Sequence, residues 1–113
     1  MGYYTYYSLQ HDCTDAEKFE RIVAEMENME LFDYCGLYAD VDMKIFYSND
    51  IAKWYDWEED MRKVSAAFPE VHFTLHGEGE DNGDLWDAHF LGGKMQYCPA
   101  KIVYDEFDPE QLH

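Results

Sequence analysis

Residues that could hold a metal or move a proton gather in the second half of the chain: His72, Asp87, His89 and Cys98. Imidazole, carboxylate and thiolate are the ligand types of zinc. Gly92-Gly93 reads as a two-residue hairpin turn. Counting back from it sets Leu91 opposite Lys94, His89 opposite Gln96 and Asp87 opposite Cys98. A symmetric loop over 78–83 would then place His72 opposite His89 and Thr74 opposite Asp87. His72, His89, Asp87 and Cys98 would share one sheet face, a place for a small metal- or ligand-binding protein or an enzyme. Their spacing matches no zinc motif, and a polar outer face of histidines in a negative field accounts for the same residues. Cys98 beside His89 or Asp87 is the one nucleophile–base pair the pattern suggests, although Pro99 and the strand context favour a structural thiol. Cys13, in "HDCTD", precedes a helix whose N-terminus favours a thiolate, while Asp12 and Asp15 oppose one. We assign no catalytic residue, metal or cofactor, and expect a non-enzyme.

"GEGEDNGDLW", residues 77–86, sets Glu78, Glu80, Asp81 and Asp84 among three glycines. Its acids do not fall in the register of a calcium-binding hand, and no glutamate closes the loop. Four carboxylates would also repel phosphate. The stretch reads as a solvated hairpin loop whose glycines take unusual backbone angles.

The elements that would position these residues follow from periodicity. "YYTYYSL", residues 3–9, is aromatic and reads as a strand. Thr14 and Glu17 form a capping box before a helix over about 14–30, with Phe19, Ile22, Val23, Met26 and Met29 at helical spacing. Residues 34–39 and 43–48 read as a hairpin turning at "ADVD". Asp56 and Glu59 repeat the capping pattern before a second helix, striped by Trp57, Met61, Val64 and Phe68 and stopped by Pro69. "VHFTLH" alternates, as do Trp86, Ala88 and Phe90. The last strand carries Met95 and Tyr97 and runs on towards Val103 past Pro99. This order predicts one α+β domain over 1–113: a ferredoxin-like βαββαβ antiparallel sheet with two helices on one face and an added C-terminal hairpin.

Charge narrows the function classes. The chain has 113 residues and a formal net charge of −17, from 25 acidic and 8 basic side chains. Residues 1–52 carry 11 acids and 3 bases, and residues 53–113 carry 14 and 5, so the charge belongs to the whole domain. Such a field repels nucleic acid and anionic membranes and attracts basic proteins. With aromatics at 18%, the chain is too rich in core formers for a disordered acidic tail. Three cysteines without a C-x-x-C pair, no basic-then-apolar leader in "MGYYTYYSLQ" and no spanning apolar run predict a cytoplasmic protein.

From Lys53 onward, "KWYDWEEDM", "FP", "F.L.GEGE", "GD.W", "HF" and "GGKMQ" resemble a group of small acidic phage and prophage proteins. That group is similar to the ferredoxin-like domain of the YubB-type proteins of phages and plasmids, and the likeness covers residues 53–96. The resemblance implies a fold and a mobile-element origin, with no reaction or catalytic residues to carry over.

Charge and resemblance together predict a phage-derived inhibitor or adaptor that binds a basic, nucleic-acid-handling protein in the host cytoplasm. Such a protein would act in counter-defence, of anti-CRISPR or DNA-mimic type. Glu58, Glu59 and Asp60 at the second helix and Glu78, Glu80, Asp81 and Asp84 in the loop are the expected partner-binding residues. "YYTYY", "FDYCGLY" and "KWYDW" supply more rings than one small core needs, which suits a protein partner or a homodimer formed through aromatic strands.

Overall fold

The computed structural model describes residues 3–113; Met1 and Gly2, the first positions of the expected domain, lie outside the described residues. Strand β1, Thr5–His11, buries Thr5, Tyr7 and Leu9 and turns Tyr6, Ser8 and Gln10 the other way. Helix α1, Ala16–Asn28, buries Phe19, Ile22, Val23 and Met26. Its cap is Asp15, not the expected Thr14: the carboxylate accepts from the amides of Glu17 and Lys18 at 2.9 and 3.5 Å. A charged acceptor also complements the helix dipole, which a threonine hydroxyl does not.

After a 3-10 turn at Leu31–Asp33 come β2, Leu37–Asp40, and β3, Ile45–Ser48, which pair as a hairpin. Its turn lies two residues later than "ADVD", and the Asp40 carboxylate accepts from the Met43 amide at 3.1 Å. A short strand β4, Ile51–Ala52, leads into helix α2, Trp57–Ala67. Asp56 holds the cap position but its side chain makes no bond to the helix. Its backbone (φ −94, ψ 24) departs from the extended conformation that aims a cap carboxylate at the amides.

Strands β5 (Phe73–Gly79), β6 (Leu85–Leu91) and β7 (Lys94–Pro99) complete a five-stranded antiparallel sheet in the order β4-β1-β5-β6-β7. The hairpin β2–β3 is a separate ladder. The fold is therefore α+β, with two helices and an antiparallel sheet. β7 stops at Pro99 and does not run on to Val103. Ala100 makes the last bond, to the Leu85 carbonyl at 2.8 Å, and Ile102 and Val103 are exposed. Proline has no amide to extend a ladder. No helix among the described residues is long and apolar enough to cross a membrane.

One face of the sheet is apolar in register. Tyr7, Gly77 and Trp86 align across three strands, as do Leu9, Leu75 and Ala88. Phe73 and Phe90 follow, fully buried with Phe19, Ile22, Met26, Met61 and Val64 of the helices. The hairpin tip is tied to α2, where the buried Ser65 hydroxyl accepts from the Gly93 amide at 3.0 Å.

The glycines of "GEGE" are explained by space. A Cβ at Gly77 would lie 2.2 Å from the Trp86 indole, and one at Gly79 would collide with the Asp84 carboxylate and the Tyr3 hydroxyl. Gly77→Ala should therefore lower the unfolding free energy by about 1–3 kcal/mol, since the ring must leave its seat. Urea unfolding with near-ultraviolet circular dichroism checks this, and an unchanged midpoint and aromatic signal would contradict it.

Candidate protein-binding surface

The opposite face of the sheet is polar. Its register across β6 and β7 is the expected one: Leu91 opposes Lys94, His89 opposes Gln96 and Asp87 opposes Cys98. Across β5 and β6 it is offset by two residues. Thr74 opposes His89 and His76 opposes Asp87, because the ladder extends to Glu78–Leu85 and the Gly79 amide bonds the Asp84 carbonyl at 2.8 Å. The loop is therefore centred one residue later than a symmetric one over 78–83.

An even offset keeps every side chain on its face and changes the partners on β5, setting His76 opposite Asp87 where Thr74 was expected. His72 and His89 meet ring to ring, Nε2 to Nδ1 at 2.9 Å, and His76 Nδ1 bonds the Asp87 carboxylate at 2.7 Å. Among the described residues, no three His, Cys, Asp or Glu side chains converge in a way that could hold a metal. Cys98 faces Asp87 across the ladder and is half-buried, and His89 bonds His72 and Thr74 instead. Cys13 and Cys35 are buried free thiols. Burial pushes the Cys35 thiol up to about 11, which makes it a poor nucleophile.

The acidic side chains divide by what they touch. Glu58 pairs with Arg62 at 3.1 Å and Glu59 with Lys63 at 3.6 Å along α2. Asp60 faces inward: its Oδ2 accepts from the indole of Trp54 at 2.8 Å and from the Tyr34 hydroxyl at 3.3 Å. Asp84 accepts from the Tyr3 hydroxyl, and Glu80 from the amide of Tyr4 at 3.0 Å. Glu78 lies 3.8 Å from His76 Nε2, and Asp81 is exposed at the loop tip. Sequence reasoning passed over α1, where Glu17, Glu20 and Glu27 form an exposed acidic side. Their helical spacing was the available signal. It also passed over the meeting of Trp54, Trp57, Trp86 and Tyr97 around a cleft beside Asp84, which depends on strand order.

All 25 carboxylates lie at the surface: 20 are exposed, five are half-buried and none is buried. Core and charge are thus separated, with Thr5 and Ser65 the buried polar residues among those described. Compared with protein-family models, curated proteins and solved structures, the chain has no match.

Asp60 should matter for stability apart from any binding role. Asp60→Ala leaves the buried Trp54 indole N–H without its acceptor and should cost about 1–3 kcal/mol, with Asp60→Asn costing less. Equal loss in both variants by urea unfolding would contradict this role.

Alkaline pH should expose a second buried group. Burial pushes the Tyr7 phenol from 10.0 up to about 12. It ionises more easily in the unfolded chain, so its contribution is full below pH 10 and is lost as pH rises towards 12. Unfolding free energies measured through this window should fall, and Tyr7→Phe should flatten the fall.

Proposed function

We propose that this chain is a non-enzymatic acidic protein that occupies a cationic, nucleic-acid-handling surface of another protein. The observation that carries this reading is that 20 of the 25 carboxylates are exposed and none is buried on a domain of net charge −17. DNA presents about one negative charge per 1.7 Å of axis. A rigid domain that holds anions along helix faces and a loop can take its place in a basic groove. Among the described residues Glu17, Glu20 and Glu27 on α1 and Glu80 and Asp81 at the β5–β6 loop form no ion pair, unlike Glu58 and Glu59 on α2. The resemblance to phage and prophage proteins makes the partner a host protein in the host cytoplasm and the role inhibition or adaptation, as in counter-defence.

The frame in this reading is ferredoxin-like. The Ser48 hydroxyl donates to the Tyr7 carbonyl at 2.6 Å, and His11 Nε2 meets the Lys44 carbonyl at 2.7 Å, so β3 lies along the edge of β1. The hairpin β2–β3 then completes the βαββαβ unit, and β6–β7 is the addition.

Pull-down from host lysate should recover a basic nucleic-acid-binding protein that added duplex DNA displaces. Capture should weaken steeply between about 0.1 M and about 1 M salt, as the screening length shortens from about 10 Å to about 3 Å. Glu78→Gln with Glu80→Gln and Asp81→Asn should reduce the salt slope. Capture that is indifferent to salt and to DNA would sink the reading.

A further inference from the structure

The chain's three tryptophans come from separate positions, yet Trp54, Trp57 and Trp86 all line one cleft of about 220 Å³. Trp57 and Trp86 stack with centroids 4.4 Å apart, and Tyr97 lies within 25° of parallel to Trp57 at 6.2 Å. Tyr7 and Trp54 meet edge to face at 5.3 Å and are almost fully buried. Tyr55 and Tyr97 form the rim, 64% and 47% exposed. The one charged group in the lining is the Asp84 carboxylate. Its Oδ2 is bonded by the Tyr3 hydroxyl, and among the described residues Oδ1 has no such partner. No Lys, Arg or His among the described residues lines the cleft.

Pockets for drug-sized ligands begin at about 300 Å³, so this space suits the end of a side chain and not a nucleotide. Ring faces carry negative quadrupole potential, and Asp84 adds a formal charge. An anion is therefore repelled, and a compact, strongly hydrated ammonium gains little on flat walls. A guanidinium is planar and weakly hydrated, stacks on aromatic faces and hydrogen-bonds carboxylates at its edge. We propose that the cleft receives an arginine side chain of the protein partner, stacked at Trp57 and Tyr97 and hydrogen-bonded to Asp84. This rests on the function proposed above only in taking the cation from a basic protein.

The probe is a short arginine-containing peptide, with lysine and citrulline versions of the same sequence. Since every tryptophan lines the cleft, indole fluorescence and the indole N–H resonances report its occupancy. The arginine peptide should perturb both and bind about tenfold more tightly than the lysine peptide, within the range of a desolvated cation–π contact. The citrulline peptide, planar but uncharged, should lose binding. Tyr97→Leu and Tyr55→Leu remove rim rings without changing charge, and each should weaken arginine-peptide binding about fivefold while circular dichroism stays native. Equal affinity for the arginine and lysine peptides, or indole resonances that do not move in the unsubstituted protein, overturns the cleft whatever the variants do. If partner capture and its salt dependence survive that result, the acidic display stands without it. Cleft binding that persists while partner capture proves salt-independent would remove the display and leave the cleft.

Discussion

The helix side of the sheet depends on Trp86 lying flat across β5, which is allowed because residue 77 has no side chain. A glycine inside a strand costs about 0.5–1 kcal/mol of stability on its own. Here the indole covers the bare backbone and offsets that loss, as aromatic rings do over strand glycines. Trp86 in turn stacks on Trp57, the first residue of α2, so the ring packs against the start of the second helix. Tyr7 approaches Trp86 edge-on at 6.2 Å from the neighbouring strand. One missing Cβ thus links the sheet, the helix start and the cleft between them.

A net charge of −17 imposes a second constraint, because self-repulsion opposes compaction. The fold meets it by keeping ionised groups out of the core. The acids that do turn inward, Asp60 and Asp84, accept from Trp54, Tyr34 and Tyr3, so each is hydrogen-bonded where it is least solvated. Aromatic hydroxyl and indole donors are well suited to this role. They satisfy a carboxylate without adding a cation, and the anionic field outside is left intact.

Much of the fold was legible because alternation and helical spacing are local signals. The inward rows Val71, Phe73, Leu75 and Trp86, Ala88, Phe90 are all buried as their period required. Gly92-Gly93 fixed the β6–β7 register residue by residue, since a two-residue turn leaves no freedom. The β5–β6 register was not legible, because the acidic loop admits several closures of nearly equal local preference. An even offset preserved the faces and changed only the β5 partners, so that His76 in place of Thr74 faces Asp87. The caps show the same limit: neighbouring Thr14 and Asp15 compete for the same amides, and spacing alone does not rank them.

The cleft is illegible for a different reason. Its rings come from β1, the segment before α2, α2 itself, β6 and β7, and only the sheet order brings these together. In the sequence they look like surplus aromatics with no common period. The two residues that link the cleft to "GEGEDNGDLW" are Asp84 and Trp86, and both require glycines on β5 to approach as closely as they do. That stretch is therefore more than a solvated turn. Its glycines seat a ring and a carboxylate on the strand, and Glu78, Glu80 and Asp81 remain at the surface nearby. An acidic surface attracts any cation over a distance of about a Debye length and discriminates poorly among them. Rings held at fixed spacing around one carboxylate discriminate by shape at contact. In the proposed reading both lie within ten residues, so long-range attraction and short-range selection would act at the same end of β5 and β6.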